Sequence, residues 1–174
     1  MIAWLCALRC EAQPILTRLQ ARRVPSALGF RIYRKDNAIV AITGVGPERA
    51  SAATGALLRE FSEICELRNV GICGGTPEGQ FGDVFTAEAV AWDGQLYPLR
   101  PWPGMPARPL TTVRTPQTEG VETLVEMETG AIAAACGQLP LSVLKVVSDL
   151  ADGAVITAEQ ASKLVGQALA VAGL

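Results

Sequence analysis

Two glutamates stand two residues apart in the stretch LVEMETGAIAAAC (Leu124–Cys136): Glu126 and Glu128, on either side of Met127. Carboxylates at a junction between an apolar run and a small-residue helical run do one of two jobs. They stabilise a helix N-terminus, worth about 0.3–1 kcal/mol, or they hold the polar groups of a ligand. A second acidic signal ends the run LSVLKVVSD, where Ser148 precedes Asp149. Taken alone, that pair is also the composition of a turn and cap. Glu11 comes after the first apolar run in ALRCE, where a solvated loop acid is the plain alternative. Gly44, Gly46 and Arg49 lie in TGVGPERA. A glycine turn opening a helix is a candidate anion site, because the first N–H groups of a helix lack intrahelical partners. Gly74 closes a further apolar run, NVGICGG.

These residues need elements to position them. IAWLCAL, NVGIC and LSVLKVVS are short and apolar throughout, the pattern of strands buried on both faces. Between them, EAQPILTRLQARR has helical spacing, with Pro14 expected in its first turn, and PERASAATGALLREF reads as a helix opened by Pro47. FRIYRKDNAIVAITG reads as a hairpin turning at Lys35-Asp36-Asn37, and DVFTAEAVAW as a strand turning at Asp93-Gly94. LTTVRT reads as a strand, and ETLVEM leads into the helix TGAIAAACGQ. TAEQASKLVGQALAVAGL is a closing helix with Thr157 as N-cap and Gln160 completing a capping box. The proline-rich stretch 99–109 has no periodicity and reads as an ordered loop or lid. Alternating strands and helices predict one α/β domain over residues 1–174, with a central mixed sheet flanked by helices. The strands around Leu5, Ile72 and Val146 are expected to be neighbours in its core. In such sheets ligands bind beyond the carboxyl ends of strands, where the acids and glycines above fall.

The composition excludes several classes of function. The net charge is −2 with no basic run, which argues against a nucleic-acid partner. The apolar N-terminal stretch is too short for a membrane span and has no preceding basic segment. Five cysteines without CxxC spacing read as reduced thiols in a cytoplasmic protein. There is no histidine, which removes Ser-His and Cys-His nucleophile pairs and the commonest metal ligand. Neither a metal nor a cofactor is expected.

Taken in order along the chain, ALRCE, TGVGPERA, NVGICGG with the later Gly82-Asp83, VEMETGAIA and VVSDLAD resemble the purine nucleoside phosphorylase/uridine phosphorylase superfamily. The nearest branch in resemblance is that of the methylthioadenosine/S-adenosylhomocysteine nucleosidases and futalosine hydrolase. The pairing of VEMETGAIA with SDLAD is the specific part. The resemblance implies roles. Glu11 would position or activate the attacking water. Met127 would lie under the ribose and Glu128 would grip its hydroxyls. Asp149 would protonate the leaving base, with Ser148, Glu126 and Gly74 in support. Trp102 is the candidate for an aromatic wall against the base. Two positions depart from the family pattern: Ile72 stands where a small polar residue is usual, and Lys145 where arginine is expected.

The residue types suit that chemistry. Cleaving an N-glycosidic bond builds positive charge on the ribose and negative charge on the base; carboxylates stabilise the first and a protonated acid neutralises the second. The implied function is hydrolysis of a purine-type nucleoside or thionucleoside. One alternative is a phosphorylase with phosphate at Gly44, Gly46 and Arg49. The other is a non-catalytic relative that keeps the fold and a ligand pocket. A homodimer is also implied, and Trp92, Tyr97 and Trp102 are aromatic residues suited to an interface.

Overall fold

The computed structural model describes residues 1–76, 79–117, 122–150 and 155–174. The end of the SDLAD run, Ala151-Asp152, lies outside the described residues.

The chain runs β1 (Ile2–Cys6), α1 (Arg9–Leu19), β2 (Arg22–Val24), β3 (Arg31–Lys35), β4 (Ala38–Ile42), α2 (Pro47–Glu60), β5 (Glu66–Gly74), β6 (Val84–Trp92), β7 (Gln95–Pro98), β8 (Ala107–Thr112), β9 (Leu124–Glu126), α3 (Thr129–Ala135), β10 (Leu141–Asp149) and α4 (Ala158–Val171). All strands share one mixed sheet. β4, β1, β5 and β10 lie side by side and parallel, so their carboxyl ends emerge along one edge. β10 then pairs with β6, β6 with β8, β8 with β9, and β9 returns to β5 through Gly74 and Val125. That return closes β5, β10, β6, β8 and β9 into a ring. The strands around Leu5, Ile72 and Val146 are adjacent, as their all-apolar sequences predict.

Both faces are covered. Ala12, Ile15 and Leu16 of α1 pack with Leu164, Val165 and Ala168 of α4 on one face. Ala50 and Leu57 of α2 join Ile132 and Ala133 of α3 on the other. The small residues of α3 permit close approach: a Cβ on Gly130 would stand 2.3 Å from the Trp92 Cβ.

Local signals operate as expected at the turns and at α4. Asp36, Asp93 and Gly94 have positive φ at their hairpins. The Thr157 Oγ1 accepts from the Gln160 N–H at 3.2 Å, and the Gln160 Oε1 accepts from the Thr157 N–H at 2.7 Å.

Four expectations are corrected. α1 starts at Arg9 because the Glu11 carboxylate reaches back to the Leu8 N–H, so Pro14 falls inside the helix instead of in its first turn. The helix also ends at Leu19, and Arg22–Val24 form an edge strand. The proline-rich stretch is a loop only to Pro106, and β8 begins at Ala107. Its Trp102 is buried beside Trp4, with ring centroids 6.0 Å apart, and the Arg68 guanidinium lies 4.9 Å from each ring. Trp102 is therefore a core residue that pins this loop. No helix of the described residues is long and apolar enough to cross a membrane.

Candidate active site

The parallel strand ends open onto a cavity of about 240 Å³. Each strand lines it with residues at or just beyond its carboxyl end. β1 supplies Ala7, Leu8 and, one turn into α1, Glu11; β4 supplies Val45; β5 supplies Ile72, Cys73 and Gly74; β10 supplies Ser148 and Asp149. The β9–α3 elbow supplies Glu126, Met127 and Glu128, and the segment after β8 adds Val113, Pro116 and Gln117. Glu11, Met127, Glu128 and Asp149 thus line one space, with Glu126, Ser148 and Gly74 beside them. Gly44 and Arg49 instead line a separate cleft with Arg31 and Ala53. Gly46, the N-cap of α2, donates its N–H to the Glu128 Oε1 at 2.8 Å.

Each carboxylate is held differently. The Glu11 Oε2 accepts from the Leu8 N–H (2.8 Å) and its Oε1 from the Ile72 N–H (3.0 Å). Gly71 makes this reach possible, since a Cβ there would lie 2.6 Å from the Glu11 Oε1. Asp149 is half-buried, and its Oδ2 lies 3.0 Å from the Ser148 Oγ, which also lies 3.2 Å from the Cys73 carbonyl oxygen. Gly74 leaves room between Val125 and Asp149.

Glu126 is a hub. It accepts from the N–H groups of Glu128 (3.0 Å) and Thr129 (2.9 Å), from the hydroxyls of Thr112 and Thr129, and from Lys145 Nζ at 3.0 Å. Glu126 satisfies the start of α3, and Glu128, two residues on, faces the cavity.

No protein-family model matches the chain, and no curated protein matches it in sequence. Solved structures do match in fold. The 5′-methylthioadenosine nucleosidase of Arabidopsis thaliana superposes with a TM-score of 0.83 at 23% identity, over 99% of this chain and 92% of that one. The 5′-methylthioadenosine/S-adenosylhomocysteine nucleosidase of Neisseria meningitidis, solved with methylthio-immucillin-A, gives 0.79 at 21%, over 99% of both chains. The native futalosine hydrolase of Helicobacter pylori gives 0.81 at 15%, over 99% and 96%. The chain has the nucleosidase fold.

Within this nucleosidase fold the acids of the cavity are electrostatically distinct. Glu11, Glu126, Glu128 and Lys145 are only 3–7% exposed. Burial pushes the Glu11 carboxyl above its ordinary range, against the opposing pull of Lys145 and the N–H groups of Ile72 and Leu8. Burial also acts on Glu126, but Lys145 and the hydroxyl and N–H donors outweigh it and hold that carboxyl low. Glu128 has the ionised Glu126 as neighbour, and burial together with that charge pushes it up to about 7. Burial pulls the Lys145 ammonium down, yet Glu126, Glu128 and Glu11 outweigh it and hold it above its ordinary range. The cavity thus combines one carboxylate fixed as an anion, one poised near neutrality, and a more basic than usual Glu11.

Sequence reasoning missed four supporting residues: Lys145 as partner of Glu126, Thr112 and Thr129 as its hydroxyl donors, and Gly71 as the space for Glu11. Lys145 alone carried a signal, as a charge flanked by apolar residues where the family resemblance leads to an arginine.

Proposed function

We propose that this protein is a nucleosidase that hydrolyses the N-glycosidic bond of a purine-type nucleoside or thionucleoside. The observation that carries the reading is the convergence of Glu11, Met127, Glu128 and Asp149 on one cavity at the strand ends. In the proposed reaction the bond from C1′ to the base nitrogen breaks, and its electron pair leaves with the base. Asp149 donates a proton to the base. Water adds its oxygen to C1′ and gives a proton to Glu11, whose raised affinity for protons suits it to the task. Glu128 binds the ribose hydroxyls, and its charge faces the developing oxocarbenium ion.

Water is favoured over phosphate as the acceptor. The Gly46 N–H, which a bound anion at the α2 N-terminus would need, already donates to Glu128, and Arg49 lines the other cleft. The carboxylates around the cavity would also repel phosphate. The test is a panel of purine nucleosides and thionucleosides incubated with and without phosphate and scored for free base. Release independent of phosphate is expected. Strict phosphate dependence would replace hydrolysis by phosphorolysis, and no release across the panel would leave a ligand-binding relative.

The same reading sets a pH dependence. Glu128 must be ionised to face a cation, and it is pushed up to about 7 in the free protein. The value of kcat/KM should therefore fall by at least about tenfold per pH unit as the pH drops below that point. A flat profile across about pH 5 to 8 would remove Glu128's charge from the reaction. The reading also places the protein in the cytoplasm as a homodimer, supported by the half-buried aromatics Trp92 and Tyr97. Light scattering at high micromolar concentration should give twice the monomer mass; the monomer mass would reject the dimer.

A further inference from the structure

Lys145 and Glu126 form a buried ion pair beside the cavity. The β9–α3 elbow is only two residues long, Met127 and Glu128, and both face the cavity. The β9 ladder ends at Glu126, just short of it. The elbow is instead held by the Glu126 carboxylate, which takes the N–H groups of Glu128 and Thr129 and the Thr129 hydroxyl. That carboxylate is anchored to the sheet by Lys145 Nζ at 3.0 Å, reaching across from β10. The Thr112 hydroxyl links Glu126 to the Gly130 N–H, so the first N–H groups of α3 depend on the same cluster.

From this geometry we propose that Lys145 is a positioning residue of the site: by fixing the Glu126 carboxylate it sets the elbow that aims Glu128 into the cavity. The proposal rests on the nucleosidase reading for its kinetic consequences, but the positioning itself can be read without turnover. Glu128 is faced by Glu126 from β9, by Lys145 from β10, by Glu11 from α1 and by the Gly46 N–H from the start of α2. Of these, Lys145 is the cation. Its removal takes away the charge that favours an ionised Glu128 and loosens the peptide that carries it.

The experiment compares the wild type with Lys145→Arg, Lys145→Met, Glu126→Gln and the double variant Lys145→Met/Glu126→Gln. Glu128 titration is followed by carboxyl-selective carbon NMR, assigned with Glu128→Gln, alongside kcat and KM across pH. With Lys145→Met, the Glu128 titration should move to higher pH, and kcat/KM at neutral pH should fall about 10- to 100-fold. Lys145→Arg should restore both. At a pH well above the Glu128 titration of every variant, where the direct charge effect is saturated, Lys145→Met in the Glu126→Gln background should change kcat by less than about threefold, because the positioning runs through Glu126. If the single Lys145→Met variant does not fold, a kcat loss well above about threefold between Glu126→Gln and the double variant would still overturn the proposal. An unmoved Glu128 titration, or equal losses on kcat from Lys145→Met in both backgrounds, would overturn it and leave Lys145 a purely structural residue. Absence of base release from the wild type would instead reject the nucleosidase reading, and the positioning would stand only if Lys145→Met moves the Glu128 titration more with Glu126 present than in the Glu126→Gln background.

Discussion

Asp149→Asn is expected to slow base release about 10²–10⁴-fold, the usual contribution of a general acid. The substitution keeps the shape of the side chain and removes the transferable proton. KM, or the affinity for a non-cleavable nucleoside analogue, should change far less, because the proton is needed in the transition state and not for ground-state binding. Asp149 lies at the end of β10, in register with Gly74 at the end of β5, and lines the same cavity as the elbow that carries Glu128. The Ser148 hydroxyl at 3.0 Å from Oδ2 fixes its orientation. Glu128→Gln should differ in kind, raising KM as well as lowering kcat, since hydroxyl contacts exist in both states. Turnover of Asp149→Asn within a few-fold of wild type would take Asp149 out of the mechanism.

Lys145→Met should destabilise the protein by about 3–5 kcal/mol, because it leaves a buried carboxylate without its counter-charge. The side chains of Lys145 and Glu126 are 3% and 2% exposed. Desolvating each ion costs several kcal/mol, so the pair is weak evidence for net stability; its rupture is what is expensive. For a chain of this size each kcal/mol shifts Tm by about 2–4 °C, so a fall on the order of 10 °C is expected. Replacing both partners, Lys145→Met with Glu126→Gln, should recover much of that loss, since no unpaired charge remains. A thermal or denaturant melt of the single variant that overlays the wild type would show that the pair is energetically silent.

Glu128 couples stability to pH in the opposite sense from the usual surface acid. Its folded value of about 7 lies above the ordinary 4.5, so the folded state binds the proton more tightly. The corresponding stability is fully present below about 4.5 and is lost as pH rises through about 7. The fold therefore gives up stability over the range in which the proposed reaction gains its charge, which is a common tension at catalytic sites.

The sequence by itself determined the features encoded within a few residues of one another. The buried strands β1, β5 and β10 were legible from their mainly apolar runs, the hairpins as Asp-Asn and Asp-Gly turns, and α4 from Thr157 and Gln160. Glu11 and Asp149 were legible because each comes at or after the end of an apolar strand, and parallel strands deliver their carboxyl ends to one edge; Glu128 was joined to them by the family resemblance, since β9 runs antiparallel to β5. Tertiary structure decided what depends on partners distant in the chain. Glu126 and Glu128 are alike in type and spacing, yet they part because β9 stops between them. Glu126 then meets Lys145, 19 residues on, and Glu128 meets Gly46, 82 residues back. Trp102 offered an aromatic ring to the cavity on paper but lies under Arg68 beside Trp4, because the Trp102 N–H is bonded to the Thr86 hydroxyl, which is itself tied to the Val143 carbonyl. Periodicity and caps report which face of an element is buried. Only the register of β10 against β5, and the return of β9 to β5 at Gly74, fix which charges share that burial.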